Sequence, residues 1–196
     1  DYRLQEVGKN IIEVLTRNNI EVIVPNEFSC CGSPLLRAGL VDEAKENLVP
    51  KNVKILEELG VATVVTGCPG CAMTIKHNYP ELVGRKLKFE TLHVSQYMSE
   101  KTKLHINGMK PINVKATFHN PCHLNRGLNS PRALRNILSN IPGVEVVDME
   151  EADRCCGAGG GVRSGYPDFS LRTSSLRLDE ANAIGADIVL TECPFC

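Results

Sequence analysis

The chain has no tryptophan, and aromatic residues make up only 5% of its 196 residues. Aromatic side chains are the surfaces on which proteins stack nucleic-acid bases, so the sequence argues against a stacking platform. It also lacks an excess of one charge, since 22 basic residues face 23 acidic ones and the formal net charge is -1. Nucleic-acid binding depends on a concentrated basic surface. We therefore expect no nucleic-acid partner.

Long apolar runs are missing as well. No uninterrupted apolar stretch approaches the roughly 18 residues that indicate a membrane-spanning helix. The N-terminus does not show the basic, apolar and small-residue order of a secretory signal. The sequence therefore predicts that this segment does not insert into a membrane. It also predicts a cytoplasmic location.

Cysteine is present in unusual number. The chain contains nine cysteines, an odd count, and they cluster as adjacent pairs and as C-x-x-C. A disulfide framework is typical of secreted proteins, whereas clustered cysteines without a secretory signal are typical of metal ligation in a reducing compartment. We interpret the cysteines as metal ligands.

Most of these cysteines belong to an internal repeat. Five residues of the first half recur in the second half, each displaced by the same 125 positions, and both C-x-x-C pairs carry a proline after their first cysteine. A repeat of this kind indicates a duplicated structural unit. The repeated residues are Cys30, Cys31, Gly32, Cys68 and Cys71, which correspond to Cys155, Cys156, Gly157, Cys193 and Cys196.

Hydrophobic periodicity gives the two halves the same order of elements. Helices are predicted over residues 42–59 and 168–184, each ending at a glycine, Gly60 or Gly185. Short apolar strands are predicted over 21–24, 62–65, 144–147 and 187–190. Alternating helices and apolar strands are typical of parallel sheets. The predicted fold class is α/β, with two pseudo-symmetric, small, Rossmann-like parallel-sheet domains related by internal duplication.

The domain boundaries follow from this repeat. The first cysteine-rich domain is expected over residues 1–100, a polar linker over 101–111, and the second domain over 112–196. The offset would place a counterpart of Cys122 ahead of Asp1, so we expect the first domain to be N-terminally truncated. Cys196 ends the sequence where Cys71 continues into a predicted helix, so we expect the second domain to be C-terminally truncated.

The cysteines form two sets. A tetrahedral zinc ion or a cubane cluster takes four thiolates, and the second set has five. Vicinal cysteine side chains usually diverge, which lets each serve a different metal atom or lets one bridge two. Gly157 and Gly159 allow close approach of the backbone and direct N–H groups at sulfur. The first set is Cys30, Cys31, Cys68 and Cys71, and the second set is Cys122, Cys155, Cys156, Cys193 and Cys196.

These motifs resemble a known family. The second half reads His-Asn-Pro-Cys-His at 119–123 and Cys-Cys-Gly-Ala-Gly-Gly-Gly at 155–161. With the later C-x-x-C, this pattern resembles the CCG, or cysteine-rich, domain. Such domains occur in pairs in iron–sulfur subunits of methanogen heterodisulfide reductases and of thiol:fumarate reductase. They also occur in iron–sulfur subunits of glycolate, lactate and anaerobic glycerol-3-phosphate oxidation systems.

The resemblance implies a cofactor and a reaction. It implies that the second set holds a noncubane [4Fe–4S] cluster and that the first set holds another such cluster, a simpler cluster, zinc or nothing. It implies an iron–sulfur oxidoreductase subunit that handles the coenzyme M–coenzyme B thiol/disulfide couple as a small substrate. The implied partners are a flavin-containing redox subunit and a ferredoxin-like iron–sulfur module.

Two other interpretations stay open at this point. Paired domains of this family also serve as electron-relay subunits of flavin-dependent 2-hydroxyacid or glycerol-3-phosphate dehydrogenases, without a substrate of their own. A zinc-bound structural scaffold is the third interpretation, although five thiolates exceed what one zinc ion needs.

Three polar residues flank Cys122. His119 precedes it, and His123 and Arg126 follow it. We predict His123 and Arg126 as catalytic residues that donate protons or stabilise product thiolates beside a cluster. The alternative is a polar loop whose side chains bond to nearby backbone groups.

Overall fold

The computed structural model describes residues 4–102 and 109–196. These residues belong to two compact units, Asp1–Tyr97 and Met98–Cys196. The linker predicted over residues 101–111 lies for the most part outside the described residues.

The first unit combines short helices with a two-stranded parallel sheet. Strand β1 pairs with β2 from Thr63 opposite Glu90 to Thr66 opposite His93, so the carboxyl ends of both strands lie at the same edge. The elements are α1 (Gln5–Arg17), α2 (Ser33–Arg37), α3 (Val41–Glu43), α4 (Val49–Glu58), β1 (Thr63–Thr66), α5 (Pro69–Met73), α6 (Tyr79–Val83), β2 (Glu90–His93) and the first part of α7 (Val94–Glu100), whose last three residues belong to the second unit.

The core of this unit joins the helices to the first vicinal cysteine pair. One continuous cluster of buried side chains includes Cys31 itself, so the thiol at position 31 is part of the packing. Helix α4 contributes Val49, Val53 and Leu56 to this cluster, and α6 contributes Tyr79. The fully buried or nearly buried members are Cys31, Ala44, Val49, Val53, Leu56, Ile75, Tyr79 and Phe89.

The second unit is built around a three-stranded parallel sheet in the order β4-β3-β5. The central strand ends with His119 opposite Thr191 of β5. The elements are β3 (Val114–His119), α8 (Ala133–Leu138), β4 (Val144–Val146), α9 (Val162–Gly165), α10 (Pro167–Ala183) and β5 (Ile188–Thr191).

The α/β fold class with small parallel sheets is confirmed. The strands predicted over 62–65 and 187–190 form one residue later, and the helix predicted over 168–184 is α10. Gly60 and Gly185 have the same left-handed conformation, with φ of 65° at each. The internal duplication itself remains a prediction from the sequence repeat. Within the described ranges, no helix has the length and apolar character needed to cross a membrane.

One predicted strand is absent from the described part of the chain. Residues 21–24 have no regular structure, and the side chains of Ile23 and Val24 are 49% and 62% exposed. A strand must hydrogen-bond to a neighbour to satisfy its backbone, and among the described residues this segment pairs with none. The β-branched composition therefore led to a wrong prediction for residues 21–24.

Three helical stretches contain a π-helical turn, which the sequence did not indicate. They lie at Ala44–Leu48, Thr74–Asn78 and His123–Gly127. The second turn joins α5 to α6, and the third begins directly after Cys122. Single π-helical turns within helices occur frequently at functional sites. Two of the three lie within a few residues of a cysteine.

Candidate metal centres

The cysteines gather where parallel strands end. All nine lie within the described residues, and none forms a disulfide. Cys68 follows β1 and is the N-cap residue of α5, while Cys193 follows β5. The hydroxyl of Thr66 donates to the carbonyl of Cys68 at 2.9 Å, which fixes the turn after the strand. Loops at the carboxyl ends of parallel strands are where α/β proteins bind ligands.

In the first set the vicinal side chains face different surroundings. Cys31 is 5% exposed, and its Sγ lies 3.1 Å from the Sγ of Cys71. Cys30 is exposed. The two neighbouring thiols therefore differ in exposure, and, after the hydrogen bond to Cys71, a side-chain hydrogen bond between Cys30 and Cys31 also contributes to the lowered pKa of Cys31.

The second set has a related arrangement. The Sγ of Cys156 lies 3.4 Å from that of Cys196, and Cys155 is exposed. The N–H of Gly157 donates to the Sγ of Cys155 at 3.3 Å. A backbone N–H directed at sulfur stabilises negative charge on that sulfur.

His119 is the histidine that the structure brings to the second set. It is 6% exposed at the end of β3, and a ring nitrogen and the sulfur atoms of Cys156 and Cys196 all lie within 4.8 Å of one another. The motifs around Cys122 pointed more strongly to His123 and Arg126. The available signal for His119 was its position two residues before a Pro-Cys pair, at the end of β3, a strand that was not predicted.

Each close sulfur pair favours one thiolate and one thiol. Hydrogen bonding to Cys71 lowers the pKa of Cys31 to about 7, against the opposing effect of burial, and the pKa of Cys71 is raised. Hydrogen bonding to Cys196, followed by His119, lowers the pKa of Cys156 to about 4, and the pKa of Cys196 is raised. A lowered pKa at one sulfur increases its thiolate fraction, which is the form that binds metal.

This difference predicts the pH dependence of alkylation in metal-free protein. Iodoacetamide should label Cys156 at nearly the same rate at pH 6 and pH 8, since both values lie above its pKa of about 4. Labelling of Cys31 should rise across the same interval because its pKa is about 7. Mass spectrometry of the labelled peptides measures both rates. A Cys156 rate that rises tenfold per pH unit below pH 8 would show that this sulfur is an ordinary thiol.

The glycines after the two vicinal pairs share a backbone conformation. Gly32 and Gly157 have φ of 81° and 80°. A Cβ at Gly157 would lie 2.8 Å from the carbonyl oxygen of Ser170 and 2.9 Å from Cβ of Thr173, both on α10. A Cβ at Gly159 would meet nothing within 4 Å. Gly157 is thus required by packing against α10, whereas Gly159 borders open space.

His123 and Arg126 lie in the π-helical turn that begins after Cys122. Arg126 is exposed, and its guanidinium donates to the carbonyl of Asp153 at 3.3 Å. His123 is partly buried. A catalytic role for these two residues remains a prediction.

Asp153 connects the segment around Cys122 to the loop before Cys155. Its Oδ1 accepts hydrogen bonds from the side-chain amides of Asn120 and Asn125, at 2.9 and 2.6 Å. The N–H of Asn120 also donates to the carbonyl of Ala152 at 3.3 Å. These bonds hold together two stretches that each contribute a cysteine to the second set.

A buried polar network supports the first vicinal pair, and no sequence motif indicated it. The side-chain amide of Asn52 donates to the carbonyl of Cys30 at 2.9 Å and to the hydroxyl of Tyr79 at 3.0 Å. Tyr79 donates to the carbonyl of Cys31 at 3.1 Å. Burial raises the pKa of Tyr79, so its hydroxyl stays protonated and able to donate. The sequence feature that could have indicated this network was Asn52, a polar residue beside Val53 on the apolar face of a predicted helix.

The donor set fits an iron–sulfur group. The residues at both centres are predominantly thiols, some held as thiolates, with N–H groups directed at sulfur. Soft thiolate ligands select zinc, copper(I) or iron–sulfur clusters, and hydrogen bonds to sulfur are a recognised means of tuning such clusters. The first set would supply up to four thiolates and the second up to five.

Comparison with known proteins identifies relatives across the whole chain. The cysteine-rich domain family CCG matches residues 1–76 and 116–196, which confirms the resemblance predicted from the motifs. The whole chain aligns with a subunit of the fumarate reductase (CoM/CoB) of Methanothermobacter marburgensis at 39% identity, and the alignment covers 38% of that subunit's length. A second alignment, at 41% identity, is with a subunit of the dihydromethanophenazine:CoB–CoM heterodisulfide reductase of Methanosarcina barkeri. It covers 85% of this chain and 42% of that subunit's length.

A more distant relative belongs to a dehydrogenase. The whole chain aligns with a subunit of the anaerobic glycerol-3-phosphate dehydrogenase of Escherichia coli at 27% identity, and the alignment covers 51% of that subunit's length. The chain spans about 38% to 51% of the length of these three curated relatives.

Proposed function

We propose, because the chain belongs to the CCG cysteine-rich domain family, that it is the iron–sulfur part of an oxidoreductase of the heterodisulfide reductase and fumarate reductase type. The observation that carries this proposal is the pair of close sulfur contacts, Cys31 to Cys71 at 3.1 Å and Cys156 to Cys196 at 3.4 Å. Both occur between a vicinal cysteine pair and a C-x-x-C pair. Identities of 39% and 41% to subunits of these two enzymes support the same conclusion.

The cysteine sets are proposed to hold noncubane [4Fe–4S] clusters. When bound, such a cluster supplies one electron at a time. Of the residues that would hold the clusters, Cys31 and Cys193 are buried, whereas Cys30 and Cys155 are exposed. The proposed ligands are Cys30, Cys31, Cys68 and Cys71 in the first set and Cys122, Cys155, Cys156, Cys193 and Cys196 in the second.

The proposed reaction is the interconversion of the coenzyme M–coenzyme B disulfide and its two thiols. Reduction breaks one S–S bond, consumes two electrons and two protons, and releases two thiols. His119 can hold a proton beside Cys156 and Cys196. His123 and Arg126, in the turn after Cys122, are proposed to donate a proton and to stabilise a product thiolate. We propose a flavin-containing subunit and a ferredoxin-like module as electron donors.

The test is anaerobic purification followed by iron analysis and electron paramagnetic resonance, with and without the coenzyme M–coenzyme B disulfide. We expect iron in the isolated protein and a new paramagnetic signal on addition of the disulfide. Iron without any response to the disulfide would reject the thiol/disulfide role and retain the iron–sulfur assignment. Protein that remains colourless and binds only zinc would reject both.

Electron relay to or from a dehydrogenase is the second candidate function. The similarity to the glycerol-3-phosphate dehydrogenase of Escherichia coli favours it. A relay requires no thiol substrate, so its clusters would be reduced by a flavin-containing dehydrogenase and would remain insensitive to the disulfide. Stopped-flow reduction of the iron–sulfur absorbance by such a dehydrogenase, repeated with added disulfide, distinguishes the two functions.

A further inference from the structure

Two polar side chains lie in the apolar core of the first unit. Asn52 and Tyr79 are both 0% exposed, and they lie among buried residues that include Val49, Val53 and Ile75. Burying an amide or a hydroxyl costs free energy unless its hydrogen bonds are made. Residues of this kind in a core are therefore expected to have specific partners.

Their partners are backbone groups of three consecutive residues, which are the first vicinal cysteine pair and the serine before it. The N–H of Ser29 donates to Oδ1 of Asn52 at 3.3 Å, and Nδ2 of Asn52 donates to the carbonyl of Cys30 at 2.9 Å. The hydroxyl of Tyr79 donates to the carbonyl of Cys31 at 3.1 Å. The amide of Asn52 also donates to that hydroxyl at 3.0 Å, so the two side chains act as one connected network.

We propose that Asn52 and Tyr79 are positioning residues that hold the backbone of Cys30 and Cys31 in place. Fixing both carbonyls against the core restricts the backbone from which each thiol extends. Cys31 then reaches Cys71 inside the unit, while Cys30 remains exposed. The proposal rests on the proposed function only in naming iron as the group that these thiols bind.

The second unit does not use the same device. The repeat offset relates Asn52 to Arg177, which is 5% exposed in α10. Its guanidinium donates to the carbonyl of Glu151 and to the carboxylate of Glu180. Glu151 precedes Cys155 by four residues, so Arg177 supports the loop before the vicinal pair and contacts neither cysteine carbonyl by these bonds. Loss of the Asn52–Tyr79 network should therefore affect only the first set.

The test compares Tyr79→Phe and Asn52→Leu with the wild type. Tyr79→Phe removes the hydrogen bond to the carbonyl of Cys31, and Asn52→Leu removes the one to the carbonyl of Cys30, while both keep apolar bulk in the core. Since removal of such a buried bond frees the segment to open locally, iodoacetamide labelling of Cys31 relative to Cys30 in metal-free protein should rise about tenfold. Labelling of Cys156 should not change. In iron-loaded protein, the paramagnetic signal of the first set should shift while that of the second set is retained.

Tyr166→Phe is the matched control, because Tyr166 is 72% exposed and loses the same hydroxyl. It should leave all labelling rates and spectra as in the wild type. The comparison uses variants that keep the wild-type circular dichroism, and Phe at position 79 retains the packed ring. An unchanged ratio of Cys31 to Cys30 labelling in both variants would overturn the proposal. The labelling test needs no bound iron. Failure of the protein to bind iron would therefore reject the proposed function, whereas the labelling ratio alone decides whether Asn52 and Tyr79 position the cysteines.

Discussion

Replacing Cys156 with alanine is expected to remove the iron of the second set and to lower the iron content of the protein by about half, because a cluster loses a thiolate ligand. The Sγ of Cys156 lies 3.4 Å from that of Cys196 and beside a ring nitrogen of His119. Its pKa of about 4 makes it a thiolate over the whole physiological range. Iron analysis and the visible absorbance of the anaerobically purified variant measure this loss.

The reciprocal variant is Cys31→Ala, which should remove the iron of the first set and retain that of the second. Cys31 has the corresponding contact with Cys71, at 3.1 Å. If the two sets bind iron independently, the paramagnetic spectra of the two variants should add up to that of the wild type. Full iron content in either variant would contradict the assignment of that cysteine as a ligand.

Replacing Gly157 with alanine should destabilise the second unit by about 2–5 kcal/mol, from left-handed backbone strain and from crowding of a packed contact. The residue has φ of 80°, and the added Cβ would lie 2.8 Å from the carbonyl oxygen of Ser170. Relief requires the loop to move away from α10, which would displace Cys155 and Cys156. Urea unfolding followed by circular dichroism measures the change in free energy, and iron analysis reports the displacement.

Gly159→Ala is the control for this prediction. Its Cβ would meet nothing within 4 Å, and its φ lies outside the left-handed region. We expect a change within about 0.5 kcal/mol, as for an ordinary surface substitution. Equal losses of stability at positions 157 and 159 would show that the contact with α10 is not what requires a glycine after the vicinal pair.

The fold class could be predicted because the informative strands are apolar. β1 and β5 are runs of Val, Ile, Leu and Thr followed by C-x-x-C, and α10 ends one residue before its predicted boundary. Strand β2 was not predicted, since Thr91 and His93 are polar although they are buried. Nδ1 of His93 bonds to the hydroxyl of Ser95 at 2.8 Å, and the backbone N–H of His93 donates to the side chain of Gln96 at 3.0 Å. Hydrophobic periodicity cannot detect a buried strand of this kind.

The candidate site was only partly predictable for a related reason. The sequence repeat indicates which cysteines belong together, because their spacing is visible along the chain. The pairing of Cys31 with Cys71 and of Cys156 with Cys196 depends on the folded positions of residues 40 apart. Asn52 and Tyr79 are separated by 27 residues and have no motif in common. Their connection to the cysteines is set by the packing of α4 against α6.

The π-helical turn at Thr74–Asn78 sets the register between Cys71 and Tyr79. A π-helical turn accommodates an extra residue without rotating the helix beyond it, whereas in a regular α-helix each residue adds about 100° of rotation. Deleting one residue from this turn should therefore restore α-helical winding and leave Tyr79 facing the carbonyl of Cys31. Deleting a second residue between Cys71 and Tyr79 would rotate Tyr79 by about 100° and break its hydrogen bond to that carbonyl. Natural variants of this segment are therefore expected to differ in length by no more than that one residue.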